Sequence, residues 1–202
     1  MKLSYGFIVI GIIRFLSLFK LQHLRKASTF FGPLLLSKNK RTTDAIEKNL
    51  RLSLPELTEE ERKAFIKDRL SRMCQTLFEM SHIWVKPPNK LLTYLDETSD
   101  NTTFEALVAS DKGIMVLIPH IGNWEMMNVY LSQYRRLTAM YRPLKEPRLN
   151  HFIRDARERF NSLLVPTNSK GIIKIIQALK AEGMVAFLPD QVPEENVGGV
   201  FA

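Results

Sequence analysis

From residue 113 onward the apolar positions come in short blocks, separated by polar segments with helical spacing. "GIMVLIP" (113–119) is a continuous apolar run closed by a proline, and "WEMMNVYLSQY" after it repeats its apolar residues at helical intervals. "LTAMY" then reads as a strand, "EPRLNHFIRDARERF" as a helix, "SLLVP" as a strand, "KGIIKIIQALKAEG" as a helix and "MVAFLPD" as a buried strand. Strands that are apolar throughout, alternating with helices over short connections, predict a mainly parallel sheet flanked by helices: an α/β fold. Ligands of such sheets gather at the carboxyl ends of the strands. His120, Arg142 and Asp190 each follow directly on such an end.

Upstream the period changes. Residues 44–86 are amphipathic and helical throughout, with Thr58 before "EEE" as a helix start and Pro87 and Pro88 as the stop. "YLDETSDNTTFEAL" reads as a short strand or loop leading to a helix at about 103–110.

The first residues differ from both regions. "LSYGFIVIGIIRFLSLF" is apolar except for Arg14 and small hydroxylated residues. Of the 29 basic residues eight precede Asp44, and of the 21 acidic residues none does, so residues 44–202 hold 21 of each sign. The whole net charge of +8 therefore sits in the arm, which argues against nucleic acid as the partner of the body. An apolar stretch followed by Lys and Arg is what a cytoplasm-facing membrane anchor looks like. Arg14 weakens a full span, because an arginine at mid-bilayer costs about 2.5–3.5 kcal/mol on insertion scales, so an in-plane helix stays open beside a transmembrane one. We accordingly divide the chain into a basic apolar anchor, 1–30, and an α/β body, 31–202, with its helical layer at 44–86.

One cysteine, Cys74, excludes an intrachain disulfide framework, and its helical setting reads as structural burial. No Walker loop, dinucleotide glycine fingerprint, G-x-S-x-G elbow or zinc-type Cys/His spacing occurs, and neither metal nor cofactor is expected.

"VLIPHIGNWEMMN" (116–128) carries the chemistry. His120 leaves the strand at a proline, Gly122 permits a tight turn, Asn123 is a good N-cap, and Glu125 falls in the first helical turn. The turn can fold the Glu125 carboxylate onto the His120 imidazole, fix its tautomer and raise its basicity toward a hydroxyl. The same residues also fit a satisfied loop histidine and a helix-start acid. Neighbouring strand ends offer no serine or cysteine nucleophile, so direct attack by a substrate hydroxyl fits better than a covalent intermediate. Arg142, Arg157 and Arg159 can clamp phosphate or stabilise an oxyanion, although Arg157 and Arg159, two apart on a helix, face different ways. His23, His82 and His151 read as loop or core residues.

Taken in order, the basic apolar N-terminus, "KNLRLSLPELTEEER", "HIGNWE", "YRPLKEPRLN", "RERFN", "KGIIKIIQALKAEG" and "LPDQ" resemble the lipid A biosynthesis acyltransferases of the lauroyl/myristoyl type, within the lysophospholipid acyltransferase superfamily. The resemblance implies an acyl carrier protein thioester as donor and a hydroxyl of a phosphorylated glycolipid, a lipid A precursor, as acceptor, at the cytoplasmic side of a bacterial inner membrane. It implies His120 as base and Glu125 as its orienting partner, and makes Asn123, Arg142, Arg157, Arg159 and Asp190 candidates for substrate binding, Asp190 as a structural or site-bordering acid. "GGVF" looks like the start of a further motif, so the chain reads as incomplete at its C-terminus. A thioesterase or hydrolase using the same dyad, and an inactive membrane-binding remnant, are the alternatives.

Overall fold

A computed structural model describes residues 5–95 and 102–190. Residues 96–101 of the expected short strand or loop, and the "GGVF" segment, lie outside these described residues. The chain divides into two units, Met1–Lys86 and Pro87–Ala202, so the boundary falls at the Pro87–Pro88 helix stop.

The first unit is helical among its described residues: α1 (Tyr5–Leu16), α2 (Leu21–Leu36), α3 (Lys40–Ser53) and α4 (Glu59–Val85). Thr58 starts α4 with a capping box. Its hydroxyl accepts the Glu61 amide at 3.3 Å while the Glu61 carboxylate accepts the Thr58 amide at 2.9 Å. The helices α1, α2 and α3 each pack on α4. Leu24, Ser28 and Gly32 turn inward along one stripe of α2. A side chain at Gly32 would meet the backbone of Leu70 and Ser71 at 2.6 Å, so only glycine permits this approach. Arg25 of α2 reaches the buried Glu79 of α4 at 2.6 Å, and the buried His82 Nε2 donates to the Phe19 carbonyl at 2.8 Å.

The N-terminal apolar stretch is helical as expected, but the reading of a transmembrane helix is not supported. A turn at residues 17–20 cuts it off from α2, leaving helices of 12 and 16 residues. No described helix is long and apolar enough to cross a membrane.

In the second unit α5 (Pro88–Leu92) and α6 (Thr102–Ala109) precede β1 (Ile114–Leu117), α7 (Glu125–Leu131), β2 (Leu137–Tyr141), α8 (Pro147–Glu158), β3 (Ser162–Pro166), α9 (Ser169–Lys180) and β4 (Met184–Phe187). All strand pairs are parallel, as the alternation of apolar runs and helices predicts, and the strand order is β1-β4-β2-β3. Alternate residues serve opposite faces. Ile114, Leu137, Met184 and Ala186 pack with Leu131 of α7 and Phe104 of α6, whereas Val165 and Val185 pack with Ile175 of α9. Helices thus cover both faces, and two residues of β4, an inner strand, are fully buried, Met184 and Val185. The amino-terminal rim is tied by Arg135, whose guanidinium donates to the carbonyls of Val108, Ser110, Lys112 and Glu182.

Candidate active site

Parallel strands end on the same rim, and the register decides what meets there. β1 pairs with β4 so that Ile114 lies beside Met184 and Leu117 beside Phe187. His120 and Asp190 each stand three residues beyond those strand ends, "IPH" against "LPD", and so arrive opposite one another. Asp190 holds His120 twice. One carboxylate oxygen accepts the His120 backbone N–H at 2.6 Å, and the other lies 2.8 Å from the ring Nδ1.

A carboxylate can only accept, so Nδ1 carries the proton and Nε2 keeps its lone pair. Hydrogen bonds from the His120 ring and then its amide hold the Asp190 carboxyl below the usual carboxylate range, which keeps it an acceptor. The imidazole is about a quarter exposed, and the edge of Trp124 stands 4.9 Å from it, centroid to centroid. It is not sealed in the core.

Glu125 has a different partner from the one expected. It opens α7, 4% exposed, and its carboxylate receives Nε and Nη2 of Arg157 from the end of α8. Asp190 thus stands at the ring's Nδ1, and Arg157 at the Glu125 carboxylate. The physical reason is charge: a buried carboxylate is held best by a guanidinium fork, which offers two donors and a full positive charge where a neutral imidazole offers one donor. Burial works against the Arg157 charge, but Glu125 outweighs it and holds the guanidinium above its ordinary value. Arg157 also lies 5.3 Å over the Tyr141 ring, and its carbonyl accepts Asn128 Nδ2 at 3.0 Å. Tyr141 in turn bonds Asn150 on α8 at 2.9 Å, and burial raises its phenol.

The remaining candidates fall as follows. Gly122 has φ +59, so the tight turn requires it. Asn123 does not cap α7: Trp124 holds the N-cap position with no side-chain cap, and Asn123 lends its carbonyl to the Met126 amide at 3.0 Å. Arg142 is exposed just past β2. Arg159 is exposed but sits 4.6 Å over the Phe160 ring, and partial desolvation lowers its pKa, while Arg157 faces Glu125. Cys74 is buried with its thiol pushed up by desolvation, and no group of metal-ligating side chains occurs among the described residues. Tyr141, Asn128 and Trp124 were not foreseen. The matching "IPH" and "LPD" could have paired His120 with Asp190.

The sequence model of the family described as bacterial lipid A biosynthesis acyltransferase matches residues 1–201. The chain is 27% identical over 153 residues to the lipid A biosynthesis palmitoleoyltransferase of Escherichia coli (strain K12), covering 75% of this chain and 49% of that protein. It is 26% identical over 160 residues to the lauroyltransferase of the same organism, covering 79% and 51%. A lipid A biosynthesis acyltransferase of Haemophilus influenzae is 25% identical over 155 residues, covering 76% and 48%. The chain spans about half the length of these curated relatives.

Proposed function

Because this chain belongs to the bacterial lipid A biosynthesis acyltransferase family, we propose that it moves a fatty acyl group from an acyl carrier protein thioester to a hydroxyl of a phosphorylated glycolipid, a lipid A precursor. The names of its relatives, palmitoleoyl-, lauroyl- and myristoyltransferases of lipid A biosynthesis, support the reaction class. The observation that carries the reading is the double hold of Asp190 on His120 at the carboxyl rim of the sheet.

His120 Nε2 takes the hydroxyl proton as that oxygen attacks the thioester carbonyl. A C–O bond forms, the tetrahedral oxyanion collapses, the C–S bond breaks, and the imidazolium returns its proton to the departing thiolate. Asp190 keeps the ring in the accepting tautomer and steadies the imidazolium. Glu125 acts one step away, by fixing Arg157 beside Tyr141. Arg142 and Arg159, both exposed, suit the acceptor's phosphate; Arg157, held by Glu125, suits the architecture of the site. The reaction occurs at the cytoplasmic face of the bacterial inner membrane and needs neither metal nor nucleotide.

The test is transfer from an acyl carrier thioester to a detergent-dispersed phosphorylated glucosamine disaccharide lipid. His120→Ala is expected to abolish transfer. Asp190→Asn is expected to lower it by roughly 10³–10⁴, because the amide donates to Nδ1 and reverses the tautomer. Transfer that survives His120→Ala, or free fatty acid released at one rate with and without acceptor, overturns the proposal. So does a wild-type chain that transfers nothing.

A further inference from the structure

Helix α3 is amphipathic, yet none of its 14 residues is buried. Its C-terminal end is tied to the start of α4, where Arg51 meets Glu59 at 3.0 Å, and from there α3 lies antiparallel along α4. Between the two helices a groove of about 630 Å³ stays open. Small-molecule sites occupy roughly 300–1,000 Å³.

The lining is sorted along its length. Counted at about 1.5 Å per residue from the Arg51–Glu59 contact, Leu50, Ile46 and Phe65 lie within about 10 Å, whereas Arg41, Arg69 and Arg72 lie about 15–20 Å away. One end is therefore apolar and the other cationic, with Met73 the large apolar residue among the arginines. Phe65, at the apolar end, is 47% exposed. The cations are only partly answered from within. Asp68, also in the lining, pairs with Arg72 at 2.7 Å. Arg41 and Arg69 have no hydrogen bond or ion pair among the described residues. Three arginines against one aspartate leave the groove with an excess of positive charge.

A ligand that answers both ends carries negative charge at one end and hydrocarbon at the other. An acidic amphipathic helix, the other common occupant of such grooves, would spread its charge along its length, and the lining has no cation at its apolar end. Three large apolar side chains at that end suit one hydrocarbon chain rather than two.

We infer that the α3–α4 groove binds a single-chain anionic amphiphile, its carboxylate or phosphate held by Arg41 and Arg69 and its chain laid against Ile46, Leu50 and Phe65. The groove belongs to the helical unit and shares no residue with the His120 site, so the inference stands without the reaction.

The full chain, kept soluble in a neutral amphiphilic polymer, is titrated with laurate or dodecyl phosphate below their micelle concentrations and followed by amide hydrogen exchange. Protection is expected in peptides spanning 41–53 and 62–73. Dodecyl maltoside, which has the chain without the charge, should bind at least about tenfold more weakly, and added salt should weaken both anions. Arg41→Gln with Arg69→Gln should raise the Kd for both anions about tenfold, as the loss of two exposed ion pairs predicts. Both arginines are exposed, so exchange of the ligand-free variant should match wild type. Arg41→Lys with Arg69→Lys keeps the charge and should bind within about threefold of wild type.

Tighter binding of dodecyl phosphate assigns the site to phosphorylated amphiphiles, tighter binding of laurate to fatty acids, and either supports the inference. Equal binding of dodecyl maltoside, undiminished protection in the double glutamine variant, or protection confined to peptides outside α3 and α4 overturns it. So does protection of the groove by an acidic amphipathic peptide and by neither anion, which would give the groove to a protein helix.

Discussion

The helical unit and the sheet unit are built by opposite rules. In the sheet unit large apolar residues fill the core: Leu131, Met184, Val165 and Val185 are no more than 1% exposed. In α1 and α2 of the helical unit the inward positions are mostly glycine and serine, and phenylalanine and isoleucine face out. Hydrophobic content alone therefore does not locate a core. What locates it is which residue sizes lie on the face that packs. The core between the sheet and α7 satisfies an aqueous rule. The first two helices do not.

The comparison breaks if equal losses of volume cost the two units equally. Leu131→Ala removes a side chain between α7 and the sheet and is expected to destabilise the second unit by about 2–5 kcal/mol. Hydrogen exchange should show the loss in peptides of β1, β2 and β4. A change below about 1 kcal/mol there would mean that this cluster does not form one cohesive core.

The reciprocal substitution adds volume. Gly32→Leu forces a side chain against the Leu70 and Ser71 backbone at 2.6 Å, where nothing flexible can yield. Overpacking of this kind costs about 1–3 kcal/mol, and exchange should rise in α2 and α4 while the sheet peptides stay unchanged. A neutral outcome would show that α2 does not depend on its small-residue stripe.

The strand pattern was legible because each strand is a short apolar run bounded by glycine, proline or polar residues, and helices on both faces require such runs. His120 was legible as a rim residue for the same reason. Its contact with Asp190 was not, because Asp190 is distant in sequence and is brought in by the pairing of β1 with β4. Chain order does not reveal that β4 inserts between β1 and β2. The Glu125 contact is equally remote in sequence: the last turn of α8 delivers Arg157 to it, and a guanidinium fork holds a buried carboxylate well. The apolar arm was legible as a composition. Its break at residues 17–20 and its inverted packing were not, since both depend on which residues α4 contacts.

Acid sharpens the contrast further. His82 is buried on α4, and burial, first among its influences, pushes its pKa below the ordinary value of 6.5. Below that value the unfolded chain binds a proton that the folded chain refuses. The stability His82 supports is therefore full above about pH 6.5 and is lost as pH falls from there toward the folded pKa, with a slope of at most about 1.4 kcal/mol per pH unit for one proton. Helical-unit exchange measured from pH 7.5 to 5 should show this slope, and His82→Gln should remove it. A slope unchanged in the variant would assign the acid sensitivity to other groups.

The smallest effect discriminates most finely. Leu18, in the turn between α1 and α2, is 75% exposed, so Leu18→Ser removes little buried area and should leave stability in buffer within about 0.5 kcal/mol. In a protein whose every surface meets water, such a change would be silent under all conditions. If α1 and α2 are selected for lipid, the same substitution must lower affinity for anionic vesicles, because the side chain is buried only when the bilayer is present. A change silent in both settings would leave Leu18 as ordinary exposed leucine and confine the inverted packing to the helices themselves.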